Sequence, residues 1–416
     1  MLDHPPKERA ALSWGYVVLW SALTFVTIPF VRYGVSFVRE RWGSEVFTYV
    51  VAACVLLATV SALYATRRRW SLSSFVWLSG IAGLVIYLTF GLAEGNPEEA
   101  IHYVQYGVLS LLLFRAFSHR VRDYSIYLAA AIVGTLVGMM DETLQWLVPG
   151  RYFDLRDIVL NMKAVVLVQI GIAAGVRPGM ISGWPGLVSV RRLCYLSAVM
   201  LGYLGLCLQN TPDRIAWYAS NVPGLGGIDP DRSIMVEYGY LHGDAANGFF
   251  RSRLQVEDLR RASMERADEG RRILDQYRER ERYQEFLALY SPLADPFLHE
   301  ARVHLVRRDS HMRRAANTEQ RDRQARYFAT AYWENRILQD YFGGVIRGSS
   351  YEWSAQNEAD VKAAADLSKP YHSAVSKHLI VRFSPVQMAL LFTGVVGAFL
   401  LGGYACTRAL RQRGVG

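Results

Sequence analysis

Three pairs of polar side chains, each four residues apart, stand in or beside long apolar stretches of this sequence. His102 and Tyr106 form the first pair, Asp141 and Gln145 the second, Asp157 and Asn161 the third. A spacing of four puts both members on one helix face. Glu142 adds a second carboxyl beside Asp141, and Arg151 follows in a short Pro149-Gly150-Arg151 turn. Ionisable groups within apolar spans are costly and by default mark function. A guanidinium here suits a phosphate, and a histidine near carboxylates suits headgroup binding or proton transfer.

Each residue also has a plainer reading. Asp154 or Asp157 can simply cap a helix, where a carboxylate satisfies free amides and the dipole. Asp141 and Glu142 can be interfacial groups in water, and Arg151 can pair locally with Asp154. His102 can be an ordinary hydrogen-bonded residue between helices. The argument therefore rests on coincidence: three consecutive spans would bring polar pairs to the same side of a membrane at similar depth. Lys163 falls about 200° around the helix from Asn161 and is left out of the group.

The elements that must position these residues are apolar runs of spanning length, roughly 17–25 residues. They lie near 13–31, 46–66, 73–93, 101–117, 124–147, 157–176 and 193–209, with one more near 386–406. The first follows Lys7 and Arg9 but shows no small-residue cleavage site, so it reads as a retained span rather than a signal peptide. Between the last two runs lies a polar stretch of some 175 residues. The sequence thus predicts an all-α, polytopic membrane helix bundle of about eight spans. A large, mainly helical extracytoplasmic domain is inserted before the last one. The boundaries are 1–209 for the first part of the bundle, 210–383 for the insertion and 384–416 for the last span and tail.

The net charge of +9 gives the orientation. Arg67, Arg68 and Arg69, then Arg115, Arg120 and Arg122, then Arg177, Arg191 and Arg192, and finally Arg408, Arg411 and Arg413 fall on alternate loops. These loops carry an excess of about +11, while the intervening ones are slightly acidic. The insertion is near neutral, with 26 Lys and Arg against 25 Asp and Glu over 209–383. Both termini are therefore expected in the cytoplasm and 210–383 outside. The basic balance is an orientation signal and not a nucleic-acid footprint, so no nucleic-acid partner is expected.

All four cysteines, Cys54, Cys194, Cys207 and Cys406, fall in or beside spans, and the insertion contains no N-x-Ser/Thr acceptor. Both features suit a bacterial envelope protein. Within the insertion, Thr211–Gly248 reads as a Gly- and Pro-rich loop or strap. Residues 254–290 read as one long charged helix, with further helices over Asp295–Arg308 and Arg326–Phe342. The aromatic stripe of the last (Tyr327, Phe328, Tyr332, Trp333, Tyr341) reads as core. His299-Glu300 followed by His304 resembles a zinc-protease motif, but five residues separate the histidines where four are needed to share a face. No metal and no cofactor is expected.

The stretches NPEEAIHYVQYGVL (96–109) and DETLQWLVPGRYFDLRDIVLN (141–161) resemble the VanZ-like family of small bacterial membrane proteins. The family pattern falls on His102, Tyr106, Asp141, Glu142, Gln145, Pro149, Gly150, Arg151, Asp157 and Asn161. The resemblance covers about 75–176. One departure is Ala164, where a Gly usually follows the Asn, which weakens the case for close helix approach there. The resemblance implies a cell-envelope role, the family's namesake being associated with low-level resistance to the glycopeptide teicoplanin.

The residues together point to an outward-facing polar site on a bacterial inner-membrane protein. Its ligand would be the headgroup of an envelope lipid, a lipid-linked saccharide or a similar amphiphile. The site would comprise His102, Tyr106, Asp141, Glu142, Gln145, Arg151, Asp157 and Asn161. The insertion would cap that site or dock an envelope protein. A membrane-edge hydrolase or transferase is a rival, with His102 as base oriented by Asp141 or Glu142. A transporter is another, although the charges gather at one face rather than the midplane.

Overall fold

The computed structural model describes residues 6–93, 96–148, 151, 153–229 and 234–414. The Pro149-Gly150 turn and Glu94 lie outside the described residues. The chain divides into two compact units: a membrane unit of residues 1–208 and 389–416, and an inserted unit of residues 209–388.

In the membrane unit, runs of Leu, Val, Ala and aromatic residues form helices, whose internal backbone hydrogen bonding suits a lipid environment. They are α1 (Ala10–Thr27), α2 (Val31–Trp42), α3 (Glu45–Thr66), α4 (Leu72–Ala93), α5 (Ile101–Phe117), α6 (Ser125–Trp146), α7 (Leu155–Ile170) and α8 (Leu187–Cys207). Short 3-10 turns extend α3 at its end (Arg67–Arg69) and α5 at its start (Pro97–Ala100), and a π turn, Gly171–Val176, prolongs α7. Among the described residues eight helices are long and apolar enough to cross a membrane. The exception in this unit is α2, which is short, carries Arg32, Arg39 and Arg41, and buries none of its residues.

Half or more of the spans containing α5, α6 and α7 is buried, against 11% for α8. The three helices that carry the polar pairs are thus the centre of the bundle. Tyr106, Leu109, Leu113, Ala130, Ala164 and Val165 form the core between them. A Cβ on Gly134 would stand 2.8 Å from Val165, and one on Gly138 would stand 2.9 Å from the Cβ of Asn161. Two glycines four apart on α6 therefore let α7 approach at the depth of Asn161. The close approach that Ala164 had put in doubt is supplied by the facing helix.

The inserted unit contains α9 (Pro212–Asn221), the antiparallel strands β1 (Tyr240–Asp244) and β2 (Gly248–Ser252), α10 (Val256–Glu265), α11 (Ala267–Gln276) and α12 (Tyr283–Leu289). After them come α13 (Pro296–Ala316), α14 (Arg321–Tyr341), the single turn α15 (Gly343–Ile346) and α16 (Ala355–Ala364). The last span, α17 (Pro385–Gln412), then returns the chain to the membrane unit.

Two sequence expectations are corrected here. Thr211–Gly248 is not all loop, since it includes α9 and the first strand of the hairpin. The single helix over 254–290 is instead three short helices. Its apolar residues explain the breaks: on one straight helix Phe286 would lie about 180° from Leu259. Both are fully buried in the same core, with Leu274, Phe297, Leu298 and Phe342. Only a folded-back chain allows this, and Arg266 holds the first corner through Asp295 at 2.7 Å. The stripe on α14 divides: Tyr332 and Trp333 are buried, and Tyr327, Phe328 and Tyr341 are half-buried.

A buried polar seam joins α13 to α14. Glu334 is fully buried and accepts from His304 Nδ1 (2.5 Å), Tyr371 Oη (2.5 Å) and Ser373 Oγ (2.7 Å), with Arg307 Nε at 2.9 Å. Burial alone would push this carboxyl up, but His304 and the two hydroxyls outweigh it and hold it below the usual carboxylate range. Glu300 faces Arg253 (3.3 Å), and His299 Nδ1 lies 3.0 Å from the Tyr290 carbonyl. His299, Glu300 and His304 thus turn to three different partners, and no zinc-protease arrangement forms.

On the membrane side, α8 and α17 run antiparallel. Cys194 and Tyr195 lie against Gly402 and Gly403, and Gly205 lies against Phe392. Gln209 Nε2 donates to the Pro385 carbonyl at 2.8 Å.

Candidate functional site

The polar residues of α5, α6 and α7 meet. His102 Nδ1 is 2.7 Å from Asn161 Oδ1, which ties α5 to α7. One turn further on, Tyr106 Oη donates to Asp141 Oδ2 at 2.8 Å, which ties α5 to α6. The rings of His102 and Tyr106 are parallel, 6.0 Å between centroids. All three i,i+4 pairs therefore begin or end on the same small volume.

Gln145 organises the α6 side. Its Nε2 donates to Glu142 Oε1 at 2.8 Å and lies 3.5 Å from Asp141 Oδ2. Its Oε1 accepts from the guanidinium of Arg151. Glu142 Oε2 in turn accepts from the backbone N–H of Asp154 at 3.3 Å. Asp141, Glu142, Gln145 and Asn161 are buried, whereas His102, Arg151 and Asp157 are half-buried. Two carboxylate oxygens, Asp141 Oδ1 and Asp157 Oδ1, are buried with no protein group in reach, as is Asn161 Nδ2.

Several pairings differ from those the sequence suggested. The orienting partner of His102 is Asn161, and no carboxylate bonds to the imidazole; Asp141 is taken by Tyr106. Asp154 is the cap of α7, accepting from the N–H of Arg156 at 2.8 Å, and its ion pair is with Arg156 (3.0 Å) rather than Arg151. Lys163 is exposed, away from the cluster.

A rim of ion pairs surrounds these residues. Arg39 of α2 donates to Glu98 at 2.7 Å, and Arg156 stands 3.8 Å from Glu99, which also accepts from Asn96. Neither Arg39 nor Arg156 was singled out as a site residue. The clue to Arg39 was the basic, amphipathic character of 31–42, which is too short to read as a span. Deeper in the α5–α7 seam, Gln169 Nε2 donates to Ser110 Oγ at 2.8 Å, and Ser110 donates to the Val165 carbonyl.

The arrangement is rich in acceptors. Asp141, Glu142 and Asp157 have few cations free for them: Arg151 is already engaged by the Gln145 amide, and Arg156 pairs with Asp154 and Glu99. Such a group can receive hydroxyl, amine or ammonium donors in a water-poor setting, where each hydrogen bond counts for more. Among the described residues no group of three or more His, Cys, Asp or Glu side chains is arranged to hold a metal ion.

Residues 13–173 match the VanZ/LLP1 family model, from α1 to the π turn that ends the sixth span. The match reaches some sixty residues further toward the N-terminus than the resemblance read from the sequence, which begins near residue 75. No curated protein and no solved structure matches the chain. The family match, the spans and the motif residues gathered between α5, α6 and α7 coincide on one part of the molecule, and over its first six spans the chain is similar to the VanZ/LLP1 family.

Proposed function

We propose that the α5–α7 cluster binds the donor-rich headgroup of an envelope amphiphile, with a lipid-linked saccharide as the best-fitting class. The observation that carries this reading is the pair of buried carboxylate oxygens, Asp141 Oδ1 and Asp157 Oδ1, that no protein group satisfies. Buried acceptors without donors are costly, and sugar hydroxyls or amines are the donors that fit an acidic, half-enclosed site. Arg151 would exchange its amide partner for a phosphate next to the sugar. His102 and Asn161 would fix the floor of the site, and Gln145 would adjust between its neighbours as the ligand enters.

The charge pattern of the loops supports an orientation with both termini in the cytoplasm of a bacterial cell. In that orientation the cluster faces outward and the inserted unit is extracytoplasmic. The role would then lie in the envelope, and glycopeptide tolerance is the phenotype to score.

The test is direct binding. Full-length protein in an uncharged detergent is titrated with a short-chain polyprenyl-diphosphate disaccharide, and with the same lipid diphosphate lacking the sugar. Saturable binding that requires the disaccharide, and that weakens at least tenfold in Asp141→Asn and His102→Ala, is expected. Equal affinity of these variants and the parent protein would sink the reading.

A further inference from the structure

We propose a second ligand site in the inserted unit: a cleft at the α13–α14 turn that binds a phosphate-type anion. It is independent of the membrane cluster and of any choice of orientation. The cleft has a volume of about 540 Å³, and three of its lining residues are arginines: Arg280, Arg313 and Arg314. The rest of the lining is Ser310, Asn317, Thr318 and Tyr327. Every one of these seven side chains can donate a hydrogen bond, and none is acidic.

Other arginines of the unit also lack a carboxylate partner, but these three line one hollow together. Arg253, Arg266, Arg282, Arg307, Arg308 and Arg336 each form an ion pair with a carboxylate. Among the described residues Arg280, Arg313 and Arg314 have no such pair, although Glu279 and Glu281 flank Arg280 in the sequence. Like charges gathered around a hollow repel one another, and an anion relieves that repulsion.

A plainer explanation covers only part of this. Arg313 and Arg314 occupy the last turn of α13, where cations complement the helix dipole. Arg280 has no such reason to be there: it comes from a separate 3-10 turn, Arg280–Arg282, brought to the same hollow. The neighbouring start of α14 adds Arg321, Arg323 and Arg326 against Asp322 around an adjacent hollow. Forked guanidinia with hydroxyl and amide donors between them suit a multivalent oxyanion, a phosphomonoester or a diphosphate. That group can belong to a lipid headgroup or to a free phosphate compound.

Calorimetric titration of the full-length protein in uncharged detergent tests the site. Inorganic pyrophosphate and dihexanoyl phosphatidic acid are the two probes. Saturable binding of at least one is expected, weakened at least tenfold in Arg280→Gln/Arg314→Gln and unchanged in Arg347→Gln, an exposed arginine outside the cleft. Tighter binding of the phosphatidic acid assigns a lipid headgroup, and equal or tighter binding of pyrophosphate assigns a free phosphate. Binding of neither probe, or equal binding by the parent and the double variant, overturns the proposal. If the double variant does not fold, the single Arg280→Gln variant on its exposed turn decides by the same comparison.

Discussion

His102 Nδ1 and Asn161 Oδ1, 59 residues apart in sequence, stand 2.7 Å apart and join the first and last helices of the polar cluster. A hydrogen bond between helices in a bundle contributes about 0.5–1.5 kcal/mol net. Alanine at either position should remove that contribution, and alanine at both should cost no more than the sum less the pair term. A double-mutant cycle on unfolding in detergent, with His102→Ala and Asn161→Ala, measures it. Strict additivity would mean that the two side chains do not interact.

Gly138 is the second prediction. A methyl there would stand 2.9 Å from the Cβ of Asn161, on a neighbour that is itself fully buried. Gly138→Ala should push α7 away and cost about 1–3 kcal/mol, the usual range for overpacking. It should weaken headgroup binding at the same time. Gly91→Ala, on α4 with open space around it, should be close to neutral. Comparing the two melting temperatures checks the prediction; similar values would refute it.

The Glu334 seam makes the inserted unit acid-sensitive. Its carboxyl is held below the usual range, while in the unfolded chain it titrates near an ordinary glutamate, about 4.3. A depressed folded value means that the stabilisation is fully present above the unfolded value and is lost as pH falls through the folded one. Hydrogen exchange of peptides from α13 and α14 should therefore quicken as the pH drops below about 4. In Glu334→Gln that pH dependence should flatten, and protection at neutral pH should be lower. Unchanged protection of the parent protein down to pH 3 would contradict this.

Orientation gives the fourth prediction. Reporters fused after residues 70, 150, 190 and 300 should read inside, outside, inside and outside. A cytoplasmic signal at 300 would mean that α8 does not cross the membrane, and would overturn the proposed placement of the inserted unit.

The helix bundle and the cluster were legible because both depend on local periodicity. Spanning length identifies α5, α6 and α7, and the i,i+4 spacings of His102/Tyr106, Asp141/Gln145 and Asp157/Asn161 fix which faces meet. Partner choice was not legible. That His102 takes Asn161 and not a carboxylate depends on how three helices pack, and part of that packing rests on Gly138, a residue with no chemistry of its own, which lies against Asn161. Arg39 was hidden because α2 is neither apolar enough for a span nor near Glu98 in sequence. In the inserted unit, helical charge patterning persists from 254 to 290, so composition shows no break. The breaks follow from the need to bring Leu259 and Phe286 into one core, which is a tertiary demand.

The meeting of Gln209 with Pro385 has a consequence for how the molecule is assembled. Gln209 and Pro385 bracket the stretch 210–384, so the two ends of that stretch meet. A domain whose ends touch can be removed or exchanged without stretching the remainder. A short linker joining Gln209 to Pro385 should leave the antiparallel α8–α17 seam intact. Deletion of 210–384 with such a linker should therefore leave residues 1–208 and 389–416 able to fold, which a melting curve in detergent checks.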